Sequence, residues 1–202
     1  AASLIKSCNT SFVQLGQRLG NDLLREYAGK LGIRTELQAG SPPALLGNTS
    51  IGQEGVLVSP LQIANLYATL ARGGIYLPWR IVAEIRNYQG DVIQEYHQQL
   101  PQRVLQEETC RVINQILLET ARNGSGRMAW LEEGGSAGKT GTAQANDSNR
   151  VIAWYAGFAP ADKPRLAIAV MVEENKAGDN TRLRGGETAA PIFREIAEQL
   201  LD

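Results

Sequence analysis

The sequence has few residues of the types that support metal or disulfide chemistry. It contains one histidine, His97, and two cysteines, Cys8 and Cys110, among 202 residues. His97 lies in a polar stretch and is interpreted as an exposed residue, so a His-based triad or zinc site is excluded. The cysteines show no metal-binding spacing and are interpreted as free, partly buried thiols, although a disulfide between them stays open.

The chain also lacks a dominant charge and a long hydrophobic run. Its 20 basic and 21 acidic residues give a net charge of −1, which argues against a dedicated nucleic-acid binder. The longest strictly apolar stretch, Leu166 to Val172, is far shorter than the ~20 residues that a membrane helix needs. Residues 1–20 do not have the layout of a signal peptide. A membrane anchor or export signal is therefore expected only upstream of Ala1.

The composition, 43% hydrophobic and 20% charged, is typical of one globular domain. The spacing of apolar residues predicts four helices: residues 12–31 with a break at Gly20, 60–72, 107–122 and 187–201. Residues 35–58 are predicted to form a long irregular loop, and residues 81–96 a hairpin with one solvent-facing side. Two continuously apolar strands, 151–159 and 166–172, are expected to be covered on both faces. The predicted fold class is α+β, with helices packed on an antiparallel sheet.

The strongest local motif is the run Gly138-Lys139-Thr140-Gly141-Thr142-Ala143-Gln144. We interpret it as an edge strand that carries a cation and two hydroxyls, where a glycine lets another chain approach closely. An extended peptide would pair with this edge through its backbone, while Lys139 and the threonines receive its carboxylate. On its own, Lys-Thr-Gly is a common tripeptide and is more typical of a turn or strand start.

The second motif is Ser7-Cys8-Asn9, which lies 132 residues before Lys139. By itself Ser-x-Asn is a helix-capping pattern, because both side chains can satisfy free backbone N–H groups. Cys8 is the middle residue of this motif.

Together, the two motifs resemble those of the penicillin-binding protein transpeptidase domain, whose set is Ser-x-x-Lys, Ser-x-Asn and Lys-Thr-Gly. The resemblance covers nearly the whole chain, and its order and spacing are similar to the monofunctional class B branch. It is carried by six stretches: Ser7 to Leu15, Ile51 to Gly55, Ser59 to Ala64, Gly138 to Gln144, Trp154 to Pro160 and Leu166 to Glu174.

The resemblance implies three catalytic residues. Ser7 would relay a proton between the nucleophile's lysine and the leaving group. Asn9 would hydrogen-bond the acyl side of the substrate. Lys139 would lie near Ser7 and bias its hydroxyl electrostatically.

The resemblance also implies a substrate-binding edge at Thr140, Gly141 and Thr142. The two threonines would hold the carboxylate of the substrate or of a β-lactam, and the Thr142 N–H would be one of two oxyanion donors. No metal or organic cofactor is implied, because serine acylation needs only a nucleophile, a base and oxyanion donors.

The chain departs from the family at the nucleophile motif, which should precede Ser7 by several dozen residues. Ser3-Leu4-Ile5-Lys6 spells Ser-x-x-Lys. However, Lys6 is adjacent to Ser7 and leaves no chain for the second motif to fold back onto the first. We therefore expect residues 1–202 to be the C-terminal portion of a single transpeptidase domain, inactive alone, with the acylated serine outside this chain.

The resemblance further implies a partial penicillin-binding/β-lactamase-like fold that keeps three antiparallel core strands flanked by helices. The strand 166–172 would then have an unpaired edge and one uncovered face. Exposed edges pair with other chains, so self-association of the chain is expected.

The implied parent is a peptidoglycan D,D-transpeptidase that binds penicillin and cross-links stem peptides ending in D-Ala-D-Ala. It would act at the periplasmic or cell-surface face of the membrane.

Two alternatives to this function remain. A serine β-lactamase shares the Lys-Thr-Gly strand, but no Glu-based deacylation motif is evident between Gly32 and Gly52. A non-catalytic module for sensing or binding cell-wall peptides, β-lactams or a partner protein would keep the same scaffold.

Overall fold

Helices and strands occur largely in separate runs along the chain, and the described strand pairs are antiparallel, which confirms the α+β class. The structure is a computed structural model that describes residues 1–144, 150–175 and 183–201. Its helices are α1 (Ala2–Ile5), α2 (Asn9–Lys30), α3 (Pro43–Thr49), α4 (Pro60–Ala71), α5 (Glu107–Asn123) and α6 (Ala190–Leu201). A 3-10 turn, Arg127–Ala129, follows α5, and a π-helical turn, Gly185–Ala189, leads into α6.

The main sheet has three antiparallel strands in the order β7–β8–β9, as expected. They are β7 (Ala137–Gln144), β8 (Arg150–Ala159) and β9 (Leu166–Asn175). Within the described residues there are also three two-stranded sheets: β1 (Arg34–Thr35) with β2 (Val56–Leu57), β3 (Ile75–Tyr76) with β6 (Gln102–Arg103), and β4 (Glu84–Arg86) with β5 (Val92–Glu95). The Lys-Thr-Gly strand β7 is therefore an edge strand, and the outer edge of β9 has no partner strand among the described residues.

Helices pack on both faces of the main sheet. On one face, α6 places Phe193 against Tyr155 of β8, with ring centroids 4.8 Å apart in an edge-to-face arrangement. On the other face, Leu70 of α4 and Leu117 of α5 join Phe158 in a second cluster. The second cluster also takes up Ala167, so the expectation that one face of β9 is uncovered is wrong near that residue.

The helix ends follow local sequence signals, and the predicted helices are confirmed. Ser59 caps α4 in a reciprocal capping box, since its hydroxyl accepts from the Gln62 N–H and its own N–H donates to Gln62 Oε1. Gly20 breaks α2 with a φ of 80°, a left-handed value that glycine adopts at little cost.

Two sequence predictions are corrected. Residues 35–58 are not a wholly irregular loop, because α3 forms there, packs on α2 and contains the buried Leu46. The hairpin β4–β5 does not have one dry side, since all of its strand residues are exposed. Its alternating pattern predicted the strands but not their position away from the core.

Candidate active site

The two sequence motifs meet at the edge of the main sheet. Lys139, on β7, donates from Nζ to Ser7 Oγ at 2.8 Å and to the Thr140 carbonyl at 2.9 Å. Ser7 lies between α1 and α2 with a φ of 54°, a left-handed value that is uncommon outside glycine. From this turn the Ser7 hydroxyl contacts Lys139 of the strand, while Asn9 begins α2. The contact joins residues that are 132 positions apart.

The environment of Lys139 makes its ammonium unusually easy to deprotonate. Burial lowers the pKa of Lys139 from 10.5 to about 8, because a charged group is poorly solvated beside the sheet. The group is still mainly protonated at pH 7. An ammonium in this position stabilises negative charge that develops on the Ser7 oxygen or on a ligand carboxylate.

A cleft of about 550 Å³ runs along this edge and brings most of the predicted site residues together. The residues that line it include Ser7, Asn9, Thr140, Gly141 and Thr142. Lys139 is not among the residues that line the cleft. Its ammonium reaches the cleft through its contacts with Ser7 and Thr140.

Two residues that contact the substrate-binding strand were not assigned to the site from the sequence. Ser125 places its Oγ 2.8 Å from Thr140 Oγ1. Gln53 donates from Nε2 to the Thr142 carbonyl at 3.1 Å. The glycines around Ser125 indicated only the end of α5, and Gln53 belongs to a stretch that carried the family resemblance without an assigned role. No local pattern in the sequence signals either contact.

The turn before α6 packs directly on the Lys-Thr-Gly strand. A Cβ atom on Gly185 would lie 2.3 Å from the Trp154 carbonyl oxygen and 2.5 Å from that of Gly141. The Gly185 N–H also donates to Thr142 Oγ1 at 3.4 Å. The close approach that Gly141 allows is therefore made, in this structure, by the protein's own chain.

Basic side chains outnumber acidic ones around the cleft. Arg127 and Arg184 line it together with one acid, Glu187. Arg184 and Glu187 form an exposed ion pair at 3.7 Å, and such pairs contribute little to stability. With Lys139 added, the cleft favours an anionic ligand. Arg182, a basic residue two positions before Arg184, lies outside the described residues.

The Ser-x-x-Lys run at the amino end does not reach the cleft. Ser3 lies on α1 and lines a separate cavity of about 410 Å³, together with Ser11, Phe12 and Leu15 of α2. This is the position expected if Ser3 is not the nucleophile.

Both cysteines are free thiols, and their environments differ. Hydrogen bonds involving Ser11 and Thr10 lower the pKa of the Cys8 thiol to about 7, whereas burial raises the pKa of Cys110.

No cluster of three or more metal-ligating side chains is found in the described part of the chain. None of the described helices is long and apolar enough to cross a membrane.

Residues 1–198 match the family model for the "Penicillin binding protein transpeptidase domain", so the chain belongs to this family. The resemblance found in the sequence is thereby confirmed. The peptidoglycan D,D-transpeptidase PbpA of Mycobacterium tuberculosis is 34% identical over an aligned length of 216 residues. The alignment covers 98% of this chain and 43% of that protein. Stage V sporulation protein D of Bacillus subtilis is 32% identical, covering 96% of this chain and 33% of that protein.

Solved structures give the same result for the fold. The crystal structure of PBPA from M. tuberculosis superimposes with a TM-score of 0.82 at 32% identity, covering 99% of this chain and 48% of that one. Its penicillin G acyl-enzyme complex gives a TM-score of 0.81 at 33% identity, over 99% of this chain and 48% of that one. The chain has the transpeptidase fold in part, and it spans less than half the length of these relatives.

Proposed function

We propose that this chain is part of a peptidoglycan D,D-transpeptidase that works through a serine acyl-enzyme. The contact between Lys139 Nζ and Ser7 Oγ carries the proposal, because it joins the two motifs into one wall of a cleft. In the proposed reaction, a serine oxygen attacks the carbonyl of the penultimate D-Ala. The peptide C–N bond breaks, the terminal D-Ala leaves as an amine, and a second amine then takes the acyl group.

The residues of the cleft have separate tasks in this proposal. Thr140 and Thr142 donate hydrogen bonds to the terminal carboxylate of the stem peptide, and the Lys139 ammonium adds charge. Ser7 passes a proton to the leaving amine, a step favoured by the ammonium 2.8 Å from its oxygen. Asn9 hydrogen-bonds the acyl side of the substrate, and the Thr142 N–H is one donor to the oxyanion.

The acylated serine is proposed to lie outside residues 1–202. Two observations support this placement. Ser3 lines a different cavity from Ser7 and Asn9, and the chain spans 43% of the PbpA relative. Residues 1–202 would then be the C-terminal portion of one transpeptidase domain, without activity of their own.

The same cleft is proposed to bind β-lactams, whose carboxylate resembles that of the stem peptide. The penicillin G acyl-enzyme complex of the M. tuberculosis relative supports this ligand class. Because peptidoglycan lies outside the cytoplasmic membrane, we place the parent protein at the periplasmic or cell-surface side.

Labelling with a fluorescent penicillin tests the proposal. We expect the longer protein that contains this chain to be acylated and the 202-residue chain alone to remain unlabelled. In the longer protein, Lys139→Ala should slow acylation at least about tenfold, since hydrogen bonds to charged groups contribute ~1.5–3 kcal/mol. Lys163→Ala, in the exposed turn between β8 and β9, is the matched control and should have little effect.

Three outcomes would contradict parts of the proposal. Covalent labelling of Ser3 in the isolated chain would overturn the placement of the nucleophile. Equal labelling of the Lys139 and Lys163 variants would remove Lys139 from the site. A longer protein that no β-lactam acylates would instead support a non-catalytic binding module.

A further inference from the structure

We propose that Ser125 is a positioning residue of the cleft, whose hydroxyl orients that of Thr140 toward the carboxylate of the ligand. This inference rests on the proposed function. It adds a hydrogen-bonding partner for Thr140 that belongs to neither sequence motif.

The two hydroxyls are at hydrogen-bonding distance. Ser125 Oγ lies 2.8 Å from Thr140 Oγ1, the usual separation for a bond between hydroxyl groups. Both residues line the same cleft, Thr140 from β7 and Ser125 from the segment after α5. Lys139 Nζ is farther from Thr140 Oγ1, at 3.4 Å.

When a carboxylate ligand is bound, the number of protons available determines which hydroxyl donates in this hydrogen bond. A hydroxyl has one proton to donate and can accept two bonds, while a carboxylate can only accept. If Thr140 donated its proton to Ser125, it would have none left for the carboxylate. With a carboxylate bound, Ser125 must therefore donate to Thr140, and Thr140 to the ligand. Each bond in such a chain polarises the next and strengthens it.

The backbone around Ser125 is held in place by close packing. A Cβ atom on Gly186 would lie 2.4 Å from the Ser125 carbonyl oxygen. One on Gly126 would lie 2.9 Å from the Tyr155 ring, and one on Gly124 would lie 2.9 Å from the Thr120 carbonyl oxygen. The segment is thus fixed between the turn before α6, the core of the sheet and the end of α5. The Ser125 side chain itself is exposed, so its removal should leave the fold intact.

The test compares two ligands that differ only in the carboxylate. Acylation rate constants of the longer protein are measured with penicillin G and with its methyl ester. We expect Ser125→Ala to slow acylation by penicillin G about 3- to 10-fold, the value of one hydrogen bond of ~0.5–1.5 kcal/mol. With the ester, Ser125→Ala should match the wild type. Ser125→Thr, which keeps the hydroxyl, should restore most of the rate with penicillin G.

A second pair of variants tests whether the effect passes through Thr140. In a Thr140→Val background, which lacks the hydroxyl, adding Ser125→Ala should cause no further loss. Three results would overturn the role of Ser125 while leaving the proposed function in place. They are a further loss of acylation rate in the Thr140→Val background, an equal loss with the ester, and no loss with penicillin G. A wild-type protein that neither ligand acylates would overturn this role together with the proposed function.

Discussion

Lys139 has two properties that determine what the cleft can hold. Its ammonium contacts Ser7 Oγ and the Thr140 carbonyl, and its burial disfavours the charge that it carries. The group is therefore cationic at neutral pH but closer to deprotonation than an exposed lysine would be. An anionic ligand stabilises the charged form of Lys139, because it pairs with the buried ammonium.

Binding of a carboxylate ligand should consequently weaken as the pH rises. The pKa of Lys139 is about 8, below its usual 10.5, so the folded protein loses this charge on going from pH 7 to 9. At pH 9 only about a tenth of the side chains remain protonated. We expect the dissociation constant for a peptide ending in D-Ala-D-Ala bound in this cleft to rise between pH 7 and 9, with a midpoint near pH 8. Titration calorimetry measures this constant.

Lys139→Arg is the control for this pH dependence. Arginine stays charged throughout the range, so the weakening between pH 7 and 9 should disappear. The same pH dependence in this variant would assign the titration to another group.

Gly185 shows how closely two backbone segments meet at the cleft. A Cβ atom there would overlap the carbonyl oxygens of Trp154 and Gly141. We expect Gly185→Ala to lower the free energy of unfolding by ~1–3 kcal/mol, the usual cost of overpacking, in urea denaturation. Gly29→Ala is the matched control, because a Cβ atom on Gly29, inside α2, would contact nothing within 4 Å. It should stabilise by ~0.5–1 kcal/mol, and equal losses in both variants would contradict the packing argument.

Among the secondary-structure elements, the helices differ in how their first turns are satisfied. The capping box of Ser59 and Gln62 satisfies the start of α4, and Gln62 also donates from Nε2 to the Gly32 carbonyl at 3.0 Å. The N-cap of α5 is Gln106, whose side chain makes no capping hydrogen bond. Two reciprocal substitutions follow from this difference.

Ser59→Ala should lower the free energy of unfolding by ~1 kcal/mol, because one N–H of the first turn of α4 loses its partner. Gln106→Ser should raise it by ~0.5–1 kcal/mol, because a hydroxyl is placed where α5 lacks a cap. Urea denaturation of both variants measures the changes. A Ser59→Ala variant as stable as the wild type would show that water satisfies this helix start equally well.

The elements also differ in how well the sequence predicted them. The ends of α4 and α5, and both long strands β8 and β9, agree with the patterns of apolar residues, caps and glycines. The short helix α3 was missed, because its seven residues are too few for a periodic pattern and its burial comes from contact with α2. The exposure of the hairpin β4–β5 was missed for a related reason, since alternation does not show whether another element covers the strands.

For the whole molecule, the outer edge of β9 is the feature most open to other chains. No strand pairs with it in the described part of the chain, and Met171 on this strand is 40% exposed. We expect the isolated chain to self-associate through this edge, with sedimentation coefficients that increase with concentration. Met171→Lys should reduce the association, because like charges would meet in a paired strand. A monomer at all concentrations would contradict the prediction.

The amino-acid sequence alone determined the family, the α+β class and the residues Ser7, Asn9, Lys139, Thr140, Gly141 and Thr142 as candidates for the site. Motifs, helix caps and apolar periodicity depend on residues that are close in the sequence or that follow one another in a fixed order. They can therefore be recognised without coordinates. Only the tertiary structure brought Ser125 to Thr140, Gln53 to the Thr142 carbonyl and Gly185 to Gly141. These contacts involve common residue types that are far apart in the chain, and their partners depend on how the helices and the sheet pack together.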